Sequence, residues 1–199
     1  MRRYNVEGVA GLSDRAQLGR APKLKLLEVW FQDAARVGQQ GTLTRVWAEC
    51  GSRPPAPRDR RYKWAYLFGA VCPERGVGAG LVLPFANAEA MSLHLAEISS
   101  QVAPGAHAIV VLDGAGWHQQ GGKLHVPDNL ALLHLPPYAP ELNPVEQVWQ
   151  FVRQNQLSNR VFDGYDATVE ACCAAWKALV AAPERITSIA TRSWAKVKA

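Results

Sequence analysis

A chain of 199 residues, 48% apolar and 20% charged, has the length and make-up of one globular domain with a full core, which excludes a disordered or low-complexity protein. Its net charge of +5 and pI near 9.2 permit an anionic partner without demanding one. No apolar run reaches membrane-spanning length. The four cysteines (Cys50, Cys72, Cys172 and Cys173) form no CxxC pair, which argues against a zinc knuckle. With no signal peptide, they are expected as reduced thiols in the cytoplasm.

Residues 1–25 form a basic, weakly patterned segment. Arg2, Arg3, Arg15, Arg20, Lys23 and Lys25 outnumber Glu7 and Asp14, and one short helix from Ser13 to Leu18 is expected. Leu26 to Asp33, "LLEVWFQD", reads as the first strand, with Leu27, Val29, Phe31 and Asp33 on one face by period-two alternation. Thr42 to Cys50 reads as a second strand from its β-branched and aromatic content. Gly51 to Arg61 is a proline-interrupted loop. Its basic residues are Arg53, Arg58, Arg60 and Arg61, with Lys63 just beyond, against Asp59. These are either an ordinary solvated charge run or a patch that tracks phosphates, since guanidinium groups bind phosphate oxygens bidentately.

Lys63 to Pro73 is the longest apolar strand signal; Trp64, Tyr66 and Phe68 alternate with smaller residues and are expected in the core. Gly80 to Phe85 predicts another strand, ended by Pro84. Asn87 then caps a helix running to about Val102, with Met91, Leu95 and Ile98 on one face and Leu93 near it. A helix between two strands is a crossover, which favours parallel strands and a right-handed connection.

Ile109 to Leu112 is a short β-branched run that reads as a buried central strand, with Ile109, Val111 and Asp113 sharing a face. Asn129 to Leu135 is the next buried strand. "PPYAPELNP" is a rigid loop leading into a helix from Pro144 to about Leu157. Asn143 is its N-cap, Pro144 its first position and Glu146 its third. Val145, Val148, Trp149 and Val152 form its apolar stripe, and Glu146, Gln150 and Arg153 trace a neighbouring face. Two helices follow: Tyr165 to Val180, with Ala171, Ala175 and Leu179 inward, and Pro183 to about Trp194. The order predicts an α/β fold, a mixed sheet with helices on both faces.

Asp113 at a strand end and Glu146 in the first turn of a later helix suit a site for a hard divalent cation, which takes oxygen ligands from separate rigid elements. Each also has a local reading: Asp113 as turn chemistry before Gly114, Glu146 as the return arm of a capping box. No Ser-His or Cys-His arrangement competes, His125 and His134 have no neighbouring acid or nucleophile motif, and there is no glycine-rich P-loop.

"VLDGAGWH", "LPPYAPELNPVEQVW" and the upstream "VWFQDAARVGQQGTLTRVWAECGSRP" resemble the transposases of the mariner superfamily, in its bacterial insertion-sequence 630 branch. The likeness spans roughly Leu24 to Trp194. It implies an RNase H-like fold, with residues 26–199 as a DDE catalytic domain and 1–25 as a linker. The helix-turn-helix DNA-reading domain of full-length relatives is missing from the pattern.

By the resemblance, Asp33, Asp113 and Glu146 are the catalytic triad and hold two Mg²⁺ or Mn²⁺ ions. His118 and Asn143 support the site or touch DNA, a purely structural histidine being the other reading of His118. The reaction implied is metal-dependent cleavage of transposon DNA ends and strand transfer into target DNA. The partners implied are that DNA, a chain carrying the helix-turn-helix, and a second copy on DNA, with no membrane. Relatives read Asp-Glu where this chain has Asp33-Ala34. An adjacent residue alternates to the other face of a strand, so the triad itself survives. A nuclease of the same fold without strand transfer, and a remnant that only binds DNA or a partner, are the rival readings.

Overall fold

The computed structural model describes residues 26–41, 43–55, 61–116, 123–137 and 139–195. The expectations for residues 1–25, Arg58, Arg60 and His118 lie outside that set. Five strands form one sheet: β1 (Leu27–Gly38), β2 (Trp64–Cys72), β3 (Val77–Leu83), β4 (His107–Leu112) and β5 (Leu130–His134), in the spatial order β3-β2-β1-β4-β5. β2 is antiparallel to both β1 and β3, whereas β4 is parallel to both β1 and β5. The mixed sheet expected from the sequence is therefore present, in the RNase H-like order.

Helix α1 (Ala88–Gln101) links β3 to β4. Its start is fixed as expected: Asn87 Oδ1 accepts from the Ala90 N–H at 2.8 Å. The crossover does not join neighbours. It carries the chain from the far edge of the sheet past β2 and β1, and β3 and β4 point the same way without pairing. Met91, Leu95 and Ile98 bury against Trp30, Phe68, Val110 and Leu112. Leu93, expected near that face, lies outside it. It is exposed, and His94 takes the buried place beside Phe68.

The other face of the sheet is covered by α2 (Val145–Val152), α3 (Tyr165–Val180) and α4 (Pro183–Ala190). Val145, Val148, Trp149 and Val152 from α2, and Ala171, Ala175 and Leu179 from α3, pack with Phe31, Ala35, Leu67 and Val111 of the sheet. α2 continues to Leu157 through a wider π turn over Arg153–Leu157. The last helix stops at Ala190, short of the expected Trp194. A 3-10 turn (Ser193–Ala195) follows and sets Trp194 edge-on against Phe31 at 5.7 Å.

Two strand expectations need correction. Residues 43–50 form no strand; Leu43, Val46 and Trp47 are exposed, and Trp47 is fully so. Their β-branched and aromatic character suits a half-buried pleated surface, but no described strand lies beside them. Asn159 instead anchors this stretch by bonding the Thr44 N–H and C=O at 3.1 and 3.2 Å. Leu130–His134 is a strand, yet an edge strand; only Leu130 is buried, with Leu132 half-buried against the core beneath α1. No helix among the described residues is long and apolar enough to cross a membrane.

Candidate active site

Asp33, expected at the end of its strand, lies inside it. β1 runs on to Gly38 because its second half pairs with β2, from Phe31↔Val71 to Gly38↔Trp64, after its first half has paired with β4. The parallel register ends at Phe31↔Val111, so Asp33 and Asp113 fall level, each two residues further along its chain. Adjacent strands are about 4.8 Å apart. Alternation puts Phe31, Asp33 and Ala35 on the face that packs α2 to α4, and Val111 and Asp113 on the same face. Ala34 points the other way, towards α1. The departure from the Asp-Glu pattern therefore sits across the sheet from Asp33.

Glu146 reaches this rim because α2 is bonded to β1 on either side of it. Before Glu146, the Asn143 amide donates to the Gln32 carbonyl at 2.9 Å, and its Oδ1 accepts from the Val145 N–H at 3.2 Å. The regular helix starts at Val145, one residue later than expected, while Pro144 already has helical angles (φ −66°, ψ −13°). Asn143 thus caps and also ties the helix to the strand. Among the described residues, Glu146 makes no return bond to the Asn143 N–H, so the capping box is not formed. After Glu146, Trp149 donates its indole N–H to Asp33 Oδ2 at 2.9 Å.

Trp149 is the site residue that sequence reasoning missed. The apolar stripe is where it belongs, but its N–H also reaches the site. Its spacing of three from Glu146, on one helix face, was the available signal. The ring is 2% exposed and packs on Trp176 at 5.8 Å. Both rings lie over Gly69, the β2 partner of Asp33. A Cβ there would stand 2.5 Å from Trp149 and 2.7 Å from Trp176, so only glycine leaves room.

Burial is the main force on Asp33, and with repulsion from Glu146 and then Asp113 it pushes the carboxyl up from 3.8 to about 6. The Ala34 N–H on Oδ1 at 2.8 Å and the Trp149 N–H on Oδ2 act against it. Asp113 is exposed, and its Oδ1 accepts from the Ala115 N–H at 3.1 Å, the turn chemistry expected of an Asp before glycine. Glu146 is exposed on the wall of an open groove of about 400 Å³ lined also by Leu43, Thr44, Gln147, Gln150 and Arg153.

Carboxylate oxygens with mutual repulsion are a suitable donor set for a hard cation. As the side chains stand, no three His, Cys, Asp or Glu among the described residues are drawn together closely enough to hold one. The donor chemistry fits; the shell is not closed. Burial pushes the Cys72 and Cys172 thiols up to about 11 and about 12, so neither is poised as a thiolate. The basic loop is divided. Arg53 and Lys63 are exposed, whereas Arg61 donates to the Phe162 carbonyl at 3.0 Å and stands 3.8 Å from Asp163.

Residues 28–168 match the family described as DDE superfamily endonuclease. The chain is 61% identical over 132 residues to an uncharacterized protein, y4pE/y4sA, of Sinorhizobium fredii (strain NBRC 101917 / NGR234), covering 66% of this chain and 97% of that one. Its fold is similar to that in the crystal structure of the mariner Mos1 paired-end complex with Mg (TM-score 0.55, 16% identity, 81% of this chain). It is also similar to the Mos1 strand transfer complex (TM-score 0.51, 16% identity, 83% of this chain). The chain spans about half the length of these Mos1 chains, 53% and 55%.

Proposed function

The chain belongs to the DDE superfamily endonuclease family, and we propose that it is the catalytic domain of a transposase, cutting transposon DNA ends and joining them to target DNA. The observation that carries this reading is Asp33: a half-buried carboxyl, fixed by two N–H donors, that feels the charges of both Glu146 and Asp113, each from a different element. Such a cluster is unfavourable alone and becomes favourable with divalent cations, so Asp33, Asp113 and Glu146 are assigned as the ligands of two Mg²⁺ or Mn²⁺ ions. When bound, the cations supply the positive charge that lets water, and later a DNA 3′-hydroxyl, attack an anionic phosphodiester. The fold likeness to Mos1 complexes named for Mg and strand transfer supports the same reading.

The residues around the site have distinct tasks. Asn143 holds the start of α2 against β1 and so sets where Glu146 stands. The groove beside Glu146 is the place for a DNA strand. Gln147 and Gln150 offer amide groups along it, and Arg153 offers a guanidinium suited to phosphate oxygens. Arg53 and Lys63, with Arg58 and Arg60, are assigned to DNA-backbone contacts, and His118 to support of the site. Base-specific recognition of transposon ends is assigned to a helix-turn-helix outside residues 26–199, with a second copy of the chain completing the assembly on DNA.

The test is cleavage of a labelled duplex carrying the element's own ends, with and without Mg²⁺ or Mn²⁺. Metal-dependent nicking that Asp33→Asn abolishes is expected, and a precut end with a free 3′-hydroxyl should be joined to a target duplex. Cleavage without joining would favour the nuclease reading. A well-folded chain that does neither, at any metal concentration, would leave only the binding remnant.

A further inference from the structure

We infer that Trp149 is a positioning residue of the site, its indole N–H fixing the Asp33 carboxylate and locking the helix that carries Glu146 onto the strand that carries Asp33. The inference rests on the metal-dependent reading above and adds to it a residue in neither the triad nor the DNA groove. Each Asp33 oxygen is held by one N–H: Oδ1 by Ala34 at 2.8 Å, Oδ2 by Trp149 at 2.9 Å. Two bonds on two oxygens set the plane of the carboxylate. A carboxylate accepts about four, so a lone pair remains on each oxygen for a cation.

The donor itself cannot drift. Trp149 is buried against Trp176, and Gly69 beneath both rings has no room to spare. A buried tryptophan needs some acceptor for its N–H, and many would serve. Here the acceptor is the acid that faces two other acids. Asn143 and Trp149 lie three residues to either side of Glu146, and both bond β1, at Gln32 and Asp33. Glu146 therefore sits at the middle of a seven-residue stretch, nearly two helical turns, tied at both ends to the strand of its partner acid. Groups that orient a ligating side chain are worth roughly 10- to 100-fold in metal affinity.

The experiment uses Trp149→Phe, which keeps an aromatic ring and removes the donor. The expected result is a half-saturating Mg²⁺ concentration for cleavage raised about 10-fold or more, with duplex binding in EDTA unchanged. A merely structural tryptophan would lower the melting temperature without moving the Mg²⁺ requirement of the folded fraction, and that outcome overturns the inference. A second measurement needs no variant. In ¹H–¹⁵N spectra of the wild-type chain, Mg²⁺ should shift the Trp149 indole N–H together with the Glu146 amide. The Trp30 indole, bonded to Glu28 on the opposite face, should stay still. If the Glu146 amide moves while the Trp149 indole does not, the positioning role fails and the metal reading stands. If neither responds to Mg²⁺, both fail.

Discussion

Glu28 and Asp33 stand on the same strand, on opposite faces, and each accepts a hydrogen bond from a tryptophan indole. Trp30 donates to Glu28 at 2.8 Å, and Trp149 to Asp33 at 2.9 Å. Around Glu28 the charge is answered within the fold. The Arg75 guanidinium reaches both its oxygens at 3.0 and 3.1 Å, and the Ala103 N–H adds a bond at 3.1 Å. This joint ties β1 to the segment after β2 and to the end of α1, where Arg75 also donates to the Gln101 carbonyl. Around Asp33 the described residues supply no salt bridge, and the charges that act on it are those of Glu146 and Asp113. A carboxylate whose counter-charge is built in serves the architecture. One surrounded by like charges leaves its partner to come from outside.

The largest expected effect is at the architectural acid. Arg75→Met leaves Glu28 buried, 3% exposed at the side chain, and uncompensated. Removing one partner of a buried pair costs about 3–5 kcal/mol. Arg75 is itself a third exposed, so the lower end is expected. Urea unfolding measures the loss, and cleavage per folded molecule should remain. A variant as stable as the wild type would show that the joint is held by Trp30 and Ala103 alone.

At Asp33 the sign reverses. The unfolded carboxyl ionises near 3.8 and the folded one near 6, so between these values the folded chain holds more protons. Stability from this group is present below pH 3.8 and is lost as pH rises through 6. Asn carries no such penalty. The stability of Asp33→Asn relative to wild type should therefore rise by about 2–3 kcal/mol between pH 4 and pH 7, because each tenfold difference in proton affinity between the folded and unfolded chain is worth roughly 1.4 kcal/mol. Mg²⁺ should erase most of the difference by stabilising the wild type. A flat difference across that range would show that neither burial nor the neighbouring acids raise the Asp33 carboxyl.

The two acids also show what could be read from residues alone. Alternation in "VWFQD" and "IVVLD" was enough to set each acid on the apolar face of its own strand, because strand geometry is local; that the two strands lie side by side came from the family resemblance. α3 was legible to its ends for the same local reason. The Glu28 joint was not legible. A glutamate in an apolar strand gives no hint that an arginine beyond β2 will meet it, since that contact depends on the order of strands. Trp149 reads as core because burial is the usual fate of such a ring, and the second role of its N–H depends on which strand lies beneath. Residues 43–50 misled because propensity describes a surface that a strand would fit, and here that surface is absent.

Asn143→Ala should have a smaller effect, about 1–2 kcal/mol, from loss of its bonds to the Val145 N–H and the Gln32 carbonyl. Asn143→Ser separates the two. Serine can cap but cannot donate across to β1 in the same way. If stability returns with serine and cleavage does not, the tie to the strand is what the site needs. If both return together, Asn143 is only a cap.

The smallest stability effect belongs to Glu146, and it decides most about the site. Two opposing effects act on Glu146→Gln. The negative charge favours the N-terminal end of α2 by about 0.3–1 kcal/mol, and that is lost. The repulsion it exerts on Asp33 is also lost, which helps. Glu146 is exposed and makes no capping bond back to Asn143, so no third effect enters. The sum should lie within about 0.5 kcal/mol of zero at pH 7, as for a surface substitution. The Asp33 carboxyl should meanwhile ionise at lower pH, so the pH dependence of stability becomes shallower than in the wild type. Gln keeps the shape and polarity of the side chain but not the charge that holds a hard cation. Cleavage should therefore collapse in a protein that unfolds like the wild type. A Glu146→Gln chain that cleaves normally, with Asp33 still titrating near 6, would mean that Glu146 neither holds metal nor shapes the site.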